Sequence, residues 1–168
     1  MNGSTNKRPG WGVTLAKVGA GVTACAVVGS LLTEPEGSWY QSLTKPAFQP
    51  PNWAFPVAWT SLYAIIAITS TAVIHDLRRQ GRDDEASAYA KALAVNLTLN
   101  AGWSGLFFRA NNTWLSAVGA AALTAFSVDL ARRGLKTGPK ALGLVAYAGW
   151  CAFATVLSAS IAVLNPDA

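Results

Sequence analysis

The chain has 168 residues, 52% of them hydrophobic and only 12% charged, with 13 Lys and Arg against 8 Asp and Glu for a formal charge of +5. An average soluble domain carries about 25% charged residues. The composition excludes a disordered chain, a collagen-like chain and a disulfide scaffold, and it argues against an ordinary soluble enzyme. The length fits a single domain over 1–168.

Four stretches contain no Asp, Glu, Lys, Arg or His: 46–74, 92–108, 110–128 and 141–166. A membrane-spanning helix needs about 17–25 mainly apolar residues, so each is long enough. A fifth candidate precedes them at about 13–32. Lys17 interrupts it one turn from its start, where a long stem reaches the interface. The competing reading is a signal peptide, with Lys7 and Arg8 as the basic region, but the stretch has few Leu and no clear cleavage site. Gly21, Cys25 and Gly29 recur every four positions, a pattern that suits close helix packing in lipid. The expected architecture is therefore an all-α membrane protein with five transmembrane helices, at about 13–32, 53–74, 88–108, 113–131 and 141–164.

Five spans divide the basic residues sharply. The N-terminal tail with the second and fourth loops holds Lys7, Arg8, Lys17, Arg78, Arg79, Arg82, Lys91, Arg132, Arg133, Lys136 and Lys140. The other side holds only Lys45 and Arg109. Positive charge stays cytoplasmic, so the N-terminus is expected inside. The charge then reads as topology and contact with anionic lipid. No nucleic-acid partner is expected, since acids at Asp76, Asp83, Asp84 and Glu85 break up the longest basic run.

Conventional chemistry has little to work with. Cys25 and Cys151 fall inside expected helices and read as buried small residues. His75, the one histidine, ends the second helix on the inner side. There is no CxxC, HExxH or carboxylate cluster, so no metal is expected, and no fingerprint of a bound cofactor. Asp129 is expected to pair with Arg132 and Arg133.

The informative residues are aromatic. The first outer loop runs from Trp39-Tyr40 through Lys45-Pro46, Phe48-Gln49 and Pro50-Pro51 to Asn52-Trp53-Ala54-Phe55. Trp and Tyr often form a membrane-interface belt, but three prolines in six residues describe a stiff, non-helical lid. Asn52 is placed to cap the helix that follows. Trp59 and Tyr63 share a helix face, as do Asn96, Asn100, Trp103 and Phe107, and then Tyr147, Trp150, Ala154 and Ser158. Such stripes suit either core, in a membrane scaffold or partner subunit without its own ligand, or ligand wall. Asn amides are costly in hydrocarbon and should face the bundle. Together the stripes describe a cavity for a large, flat, apolar ligand.

In these residues the sequence resembles the TspO/translocator protein family, also called tryptophan-rich sensory proteins or peripheral-type benzodiazepine receptors. The match rests on Trp39-Tyr40, Leu43, Lys45-Pro46, Phe48, Pro50-Pro51, Trp53, Trp59 and Leu62-Tyr63; on Leu99-Asn100, Trp103-Ser104 and Phe107-Phe108; and on Tyr147, Trp150, Phe153-Ala154-Thr155 and Leu157. The resemblance implies a five-helix bundle, usually a homodimer, with a cavity closed by the first loop. It implies a receptor or transport-type protein whose ligands are porphyrins such as protoporphyrin IX and haem, benzodiazepine-type compounds and sterols. Some bacterial members are described as degrading protoporphyrin IX in light and oxygen, through tryptophans that fall on Trp59 and Trp150. The expected ligand-binding set is Trp39, Phe55, Trp59, Tyr63, Asn100, Trp103, Phe107, Tyr147 and Trp150. The chain departs from the family at Ala146, Ser158, Ala159, Ala162 and Val163, and no Tyr and Lys/Arg pair ends the fifth helix for sterol recognition. The basic inner loops and the lack of a transit-type leader point to a bacterial plasma membrane.

Overall fold

A computed structural model describes residues 9–168, so the basic pair Lys7 and Arg8 lies outside the described residues. These residues form helices and no strand. They are α1 (Trp11–Leu32), α2 (Ser38–Ser42), α3 (Ala54–Arg79), α4 (Asp83–Phe108), α5 (Thr113–Leu135), a 3-10 turn (Pro139–Leu142) and α6 (Gly143–Leu164). Four are long and apolar enough to cross a membrane: Trp11–Leu32, Ala54–Arg79, Thr113–Leu135 and Pro139–Leu164. α4 matches α3 in length at 26 residues. It is less apolar because Asp83, Asp84, Glu85 and Lys91 sit in its first part and Asn96 and Asn100 near its middle.

The helix ends differ from the sequence expectation at the basic end. α3 continues through His75 and Asp76 to Arg79, and α4 begins at Asp83, so the connection expected between 74 and 88 shrinks to three residues. Helix electrostatics favours this extension. Arg78 and Arg79 occupy the last turn of α3 and the three acids the first turn of α4, each complementing the local dipole. α5 likewise runs past Asp129, which pairs with Arg133 at 2.6 Å. Gly138, at φ 132°, makes the turn into Pro139.

The five long helices alternate in direction. Contacts run from α1 to α3, α6, α5, α4 and back to α1, with α3 and α4 also touching. At the basic end, Trp11 meets the edge of His75 with centroids 5.5 Å apart, and Lys140 Nζ lies 3.0 Å from Asp76. At the other end Arg109 pairs with Glu34 at 3.0 Å. Fully buried Ile66, Leu130, Leu144 and Tyr147 form the centre. The start of α6 lies so close to α3 that a Cβ on Gly143 would sit 2.6 Å from Ile65 Cγ2. Small residues at such crossings let backbones approach and gain dispersion contacts, which hold helices together in an apolar solvent.

The segment after α1 is where the fold departs most from the sequence reading. The first outer loop contains the short helix α2, whereas the stretch around Pro46, Pro50 and Pro51 is non-helical as expected. Asn52 does not cap α3. The helix starts at Ala54, whose N–H donates to Pro51 O at 2.9 Å, and Asn52, though exposed, lines the cavity described below.

Candidate functional site

A cavity of about 360 Å³ lies between α1, α3, α4 and α6 and is closed by α2 and the proline-rich segment. It is lined by Phe55, Trp59 and Tyr63 of α3, Asn100, Trp103 and Phe107 of α4, and Trp150 of α6. These are seven of the nine expected ligand-binding residues. Helical spacing explains their convergence: each stripe repeats every three or four residues and so stays on one face. Among the described residues, no Asp, Glu, Lys, Arg or His lines the cavity.

The aromatic walls brace one another. Trp59 leans on Tyr63 at 5.7 Å between centroids, and Trp103 on Phe107 at 5.5 Å. Trp150 packs between Phe55 at 6.2 Å and Phe153 at 5.3 Å. Such pairs contribute about 0.5–1.5 kcal/mol each beyond area burial. The indole N–H of Trp103 donates to Ser116 O at 3.1 Å, which fixes that ring against α5. Trp59 and Trp150 make no side-chain hydrogen bond among the described residues. Their rings are held by packing alone.

Trp39 and Tyr147 lie one layer behind the lining. Trp39 stands edge-on to Phe107 at 5.9 Å. Tyr147 is fully buried at the centre of a polar chain that crosses the bundle. Tyr63 O–H donates to Asn100 Oδ1 at 2.9 Å, and Asn100 Nδ2 donates to Tyr147 OH at 3.1 Å. Tyr147 O–H donates to Asn96 Oδ1 at 2.8 Å, Asn96 Nδ2 donates to Ser127 Oγ at 2.9 Å, and Ser127 O–H donates to Leu123 O at 2.8 Å. Both asparagines face inward as expected, and each amide has a partner at both ends. Cys25 and Cys151 are buried and free, and both touch this chain.

The lid supplies lining residues that the helical stripes did not mark: Tyr40, Gln49 and Asn52. Tyr40 is buried, and Lys45 clamps the turn around it. Lys45 Nζ donates to Tyr40 O at 2.8 Å and Leu43 O at 3.2 Å, and sits 4.6 Å over the Tyr40 ring. Desolvation raises the Tyr40 phenol above its ordinary value of 10.0, partly offset by the hydrogen bond from Gln49. A second clamp joins the lid to the C-terminal end of α6. Thr44 N–H donates to Asn165 Oδ1, and Asn165 Nδ2 donates to Thr44 O, both at 2.8 Å. Pairing across 121 residues leaves no local sequence signal.

α6 adds Phe153, Ala154, Leu157, Ser158 and Ile161 to the wall. Two hollows on the outer flanks of α1 are more open. The one against α3 shares Ala26, Ser30 and Tyr63 with the main cavity, so two small side chains of α1 and the Tyr63 ring stand between the two spaces.

The sequence profile of the TspO/MBR family matches residues 18–164. The chain is 33% identical over 145 residues to "Tryptophan-rich protein TspO" of Chlorobaculum tepidum, covering 85% of this chain and 90% of that protein. It is 32% identical over 154 residues to "Protein CrtK" of Rhodobacter capsulatus, covering 85% and 88%. It is 28% identical over 152 residues to "Translocator protein" of Homo sapiens, covering 89% and 86%. The chain, a multi-helix membrane protein with an aromatic, charge-free cavity under a lid, belongs to the TspO/MBR family.

Proposed function

We propose that this protein is a membrane receptor or transport-type protein that takes tetrapyrroles, such as protoporphyrin IX and haem, and other flat apolar ligands into the cavity beneath the lid. The observation that carries the reading is a chamber walled by the faces and edges of Trp59, Trp103, Trp150, Tyr63 and Phe55, with no charged side chain among the described residues of its lining. Flat π surfaces and area burial hold such a ligand, and Asn100 and Tyr63 offer a polar edge at depth. Haem would bind without an axial histidine, because His75 packs on Trp11 at the far end of the bundle. Synthetic benzodiazepine-type or sterol-like ligands would use the same walls.

At about 360 Å³ the cavity sits near the small end of ligand pockets, about 300–1,000 Å³. A macrocycle therefore enters with the lid displaced, which breaks the Thr44–Asn165 pair. α4 acts as the fifth span in this reading, since Asn96 and Asn100 are buried and hydrogen-bonded inside the bundle rather than facing lipid. The eleven basic residues on one side support a cytoplasmic N-terminus, and the membrane in this reading is a bacterial plasma membrane. Gly21, Ala121 and Ala125 are exposed small residues suited to a homodimer interface.

Titration of the purified protein with protoporphyrin IX should quench Trp fluorescence saturably. In a Trp59→Phe, Trp150→Phe double variant the dissociation constant should rise about tenfold, as two ring contacts weaken. Unchanged affinity there would remove both tryptophans from the site. A second reading, light- and oxygen-dependent breakdown of the bound porphyrin, draws support from the presence of both indoles in one cavity. Its test is the porphyrin Soret band followed under illumination and in the dark; equal decay with and without protein rejects it.

A further inference from the structure

The polar groups of the cavity differ in whether their hydrogen bonds are made. At depth, Tyr63 and Asn100 satisfy each other and Tyr147. At the lid, Gln49 Nε2 donates to Tyr40 OH at 3.2 Å, while Gln49 Oε1 is buried with no partner. The Gln49 backbone is held by its N–H donating to Pro46 O at 3.0 Å and by Pro50 beyond it, so the side chain stays over the cavity. Buried acceptors are almost always paired, and an unpaired one marks a position completed by something else.

We propose that the Tyr40–Gln49 pair is the specificity-determining position of the cavity, and that it selects flat apolar ligands with a hydrogen-bond donor, a hydroxyl or N–H, on the edge facing the lid. This deepens the proposed function and rests on its reading that the cavity takes flat ligands. Three observations support the acceptor role. Lys45, the lid's cation, is committed to Tyr40 O and Leu43 O and does not line the cavity. Among the described residues the lining holds no charge, so a neutral donor is favoured over an anionic edge. Asn52 lines the cavity but is exposed to solvent, and the hydroxyls of Ser30, Ser104 and Ser158 can rotate onto the carbonyl one turn back, as Ser160 does onto Val156 O. The Gln49 amide oxygen sits in the non-helical strap and carries no hydrogen to redirect, so it can only accept.

The test uses three probes that accept excitation energy from Trp: 1-pyrenemethanol, its methyl ether 1-(methoxymethyl)pyrene, and pyrene. All are flat, and only the first carries a donor. The wild-type protein should bind the alcohol about tenfold more tightly than the ether, the effect of one buried hydrogen bond completed or left open. In Gln49→Met that ratio should fall to about one. The ratio is measured on one preparation, so a smaller folded fraction cancels. A wild-type ratio of one or below, or a ratio that survives in Gln49→Met, overturns the proposal while saturable transfer from the tryptophans leaves the flat-ligand reading standing. No saturable transfer to any pyrene in the wild type removes both.

Discussion

The floor and the roof of the cavity are both polar, yet they are built to opposite rules. The floor joins α3, α4, α6 and α5 through Tyr63, Asn100, Tyr147, Asn96 and Ser127, and every side chain in it has a partner. The roof is a short helix and a proline-rich strap whose Gln49 keeps one buried acceptor open. A closed network in low dielectric fixes how helices sit against each other. An open position beside the same cavity is available to a ligand. Polar residues at the floor thus hold the scaffold while presenting a paired polar edge, and the roof keeps an unpaired acceptor for recognition.

The largest expected effect comes from breaking the floor. Asn96→Ala removes the acceptor of Tyr147 O–H and the donor to Ser127 Oγ, leaving two buried hydroxyls short of a partner. Each orphan costs about 1–3 kcal/mol in a buried site, and partners found in the unfolded membrane state lower that toward about 0.6 kcal/mol. A combined loss of about 1–3 kcal/mol is expected, measured by denaturant unfolding in detergent micelles. The alcohol-over-ether preference for pyrene ligands should stay as in the wild type. Wild-type stability with a lost preference would reverse the roles assigned to floor and roof.

An intermediate effect is expected at the clamp between roof and bundle. Asn165→Ala removes both hydrogen bonds to Thr44 and leaves the lid's Lys45 clamp intact. If lid displacement limits ligand release, the dissociation rate of protoporphyrin IX in stopped-flow mixing should rise about fivefold, the equivalent of one net hydrogen bond. An unchanged rate would place ligand exit elsewhere. The separation between cavity and α1–α3 groove, made of Ala26 and Ser30, is then the alternative path.

The same contrast explains what could be read from the residues in advance. The floor and walls belong to helices, and helices announce themselves through charge-free length and three-to-four-residue spacing. Trp59, Asn100, Trp103 and Trp150 were legible for that reason. Tyr147 shares the face of Trp150 but lies a layer deeper, since spacing gives direction and not depth. The three other tryptophans nearest solvent or lipid, Trp11, Trp53 and Trp114, are 42%, 68% and 49% exposed, which separates them from the cavity set. The roof is less legible: Asn52 has the chemistry of a cap, α2 shows no periodic signal in five residues, and Asn165 meets Thr44 only through the fold. Loop conformation depends on such distant partners, so local chemistry underdetermines it.

The smallest expected effect is a pH dependence confined to the roof. Burial raises the Tyr40 phenol above 10.0, with the Gln49 hydrogen bond opposing the rise. The folded state therefore holds the neutral phenol more firmly than the unfolded chain does. Its stabilisation is complete below the ordinary phenol value and is lost as pH climbs past 10.0 toward the folded value. The difference in thermal midpoint between the wild type and Tyr40→Phe should stay constant from pH 7 to about 9.5 and shrink or invert above about 10. A constant difference through pH 11 would mean that Tyr40 ionises as freely in the fold as outside it. The lid would then be open to water around that ring, and Gln49 Oε1 could not be a dry acceptor waiting for a ligand.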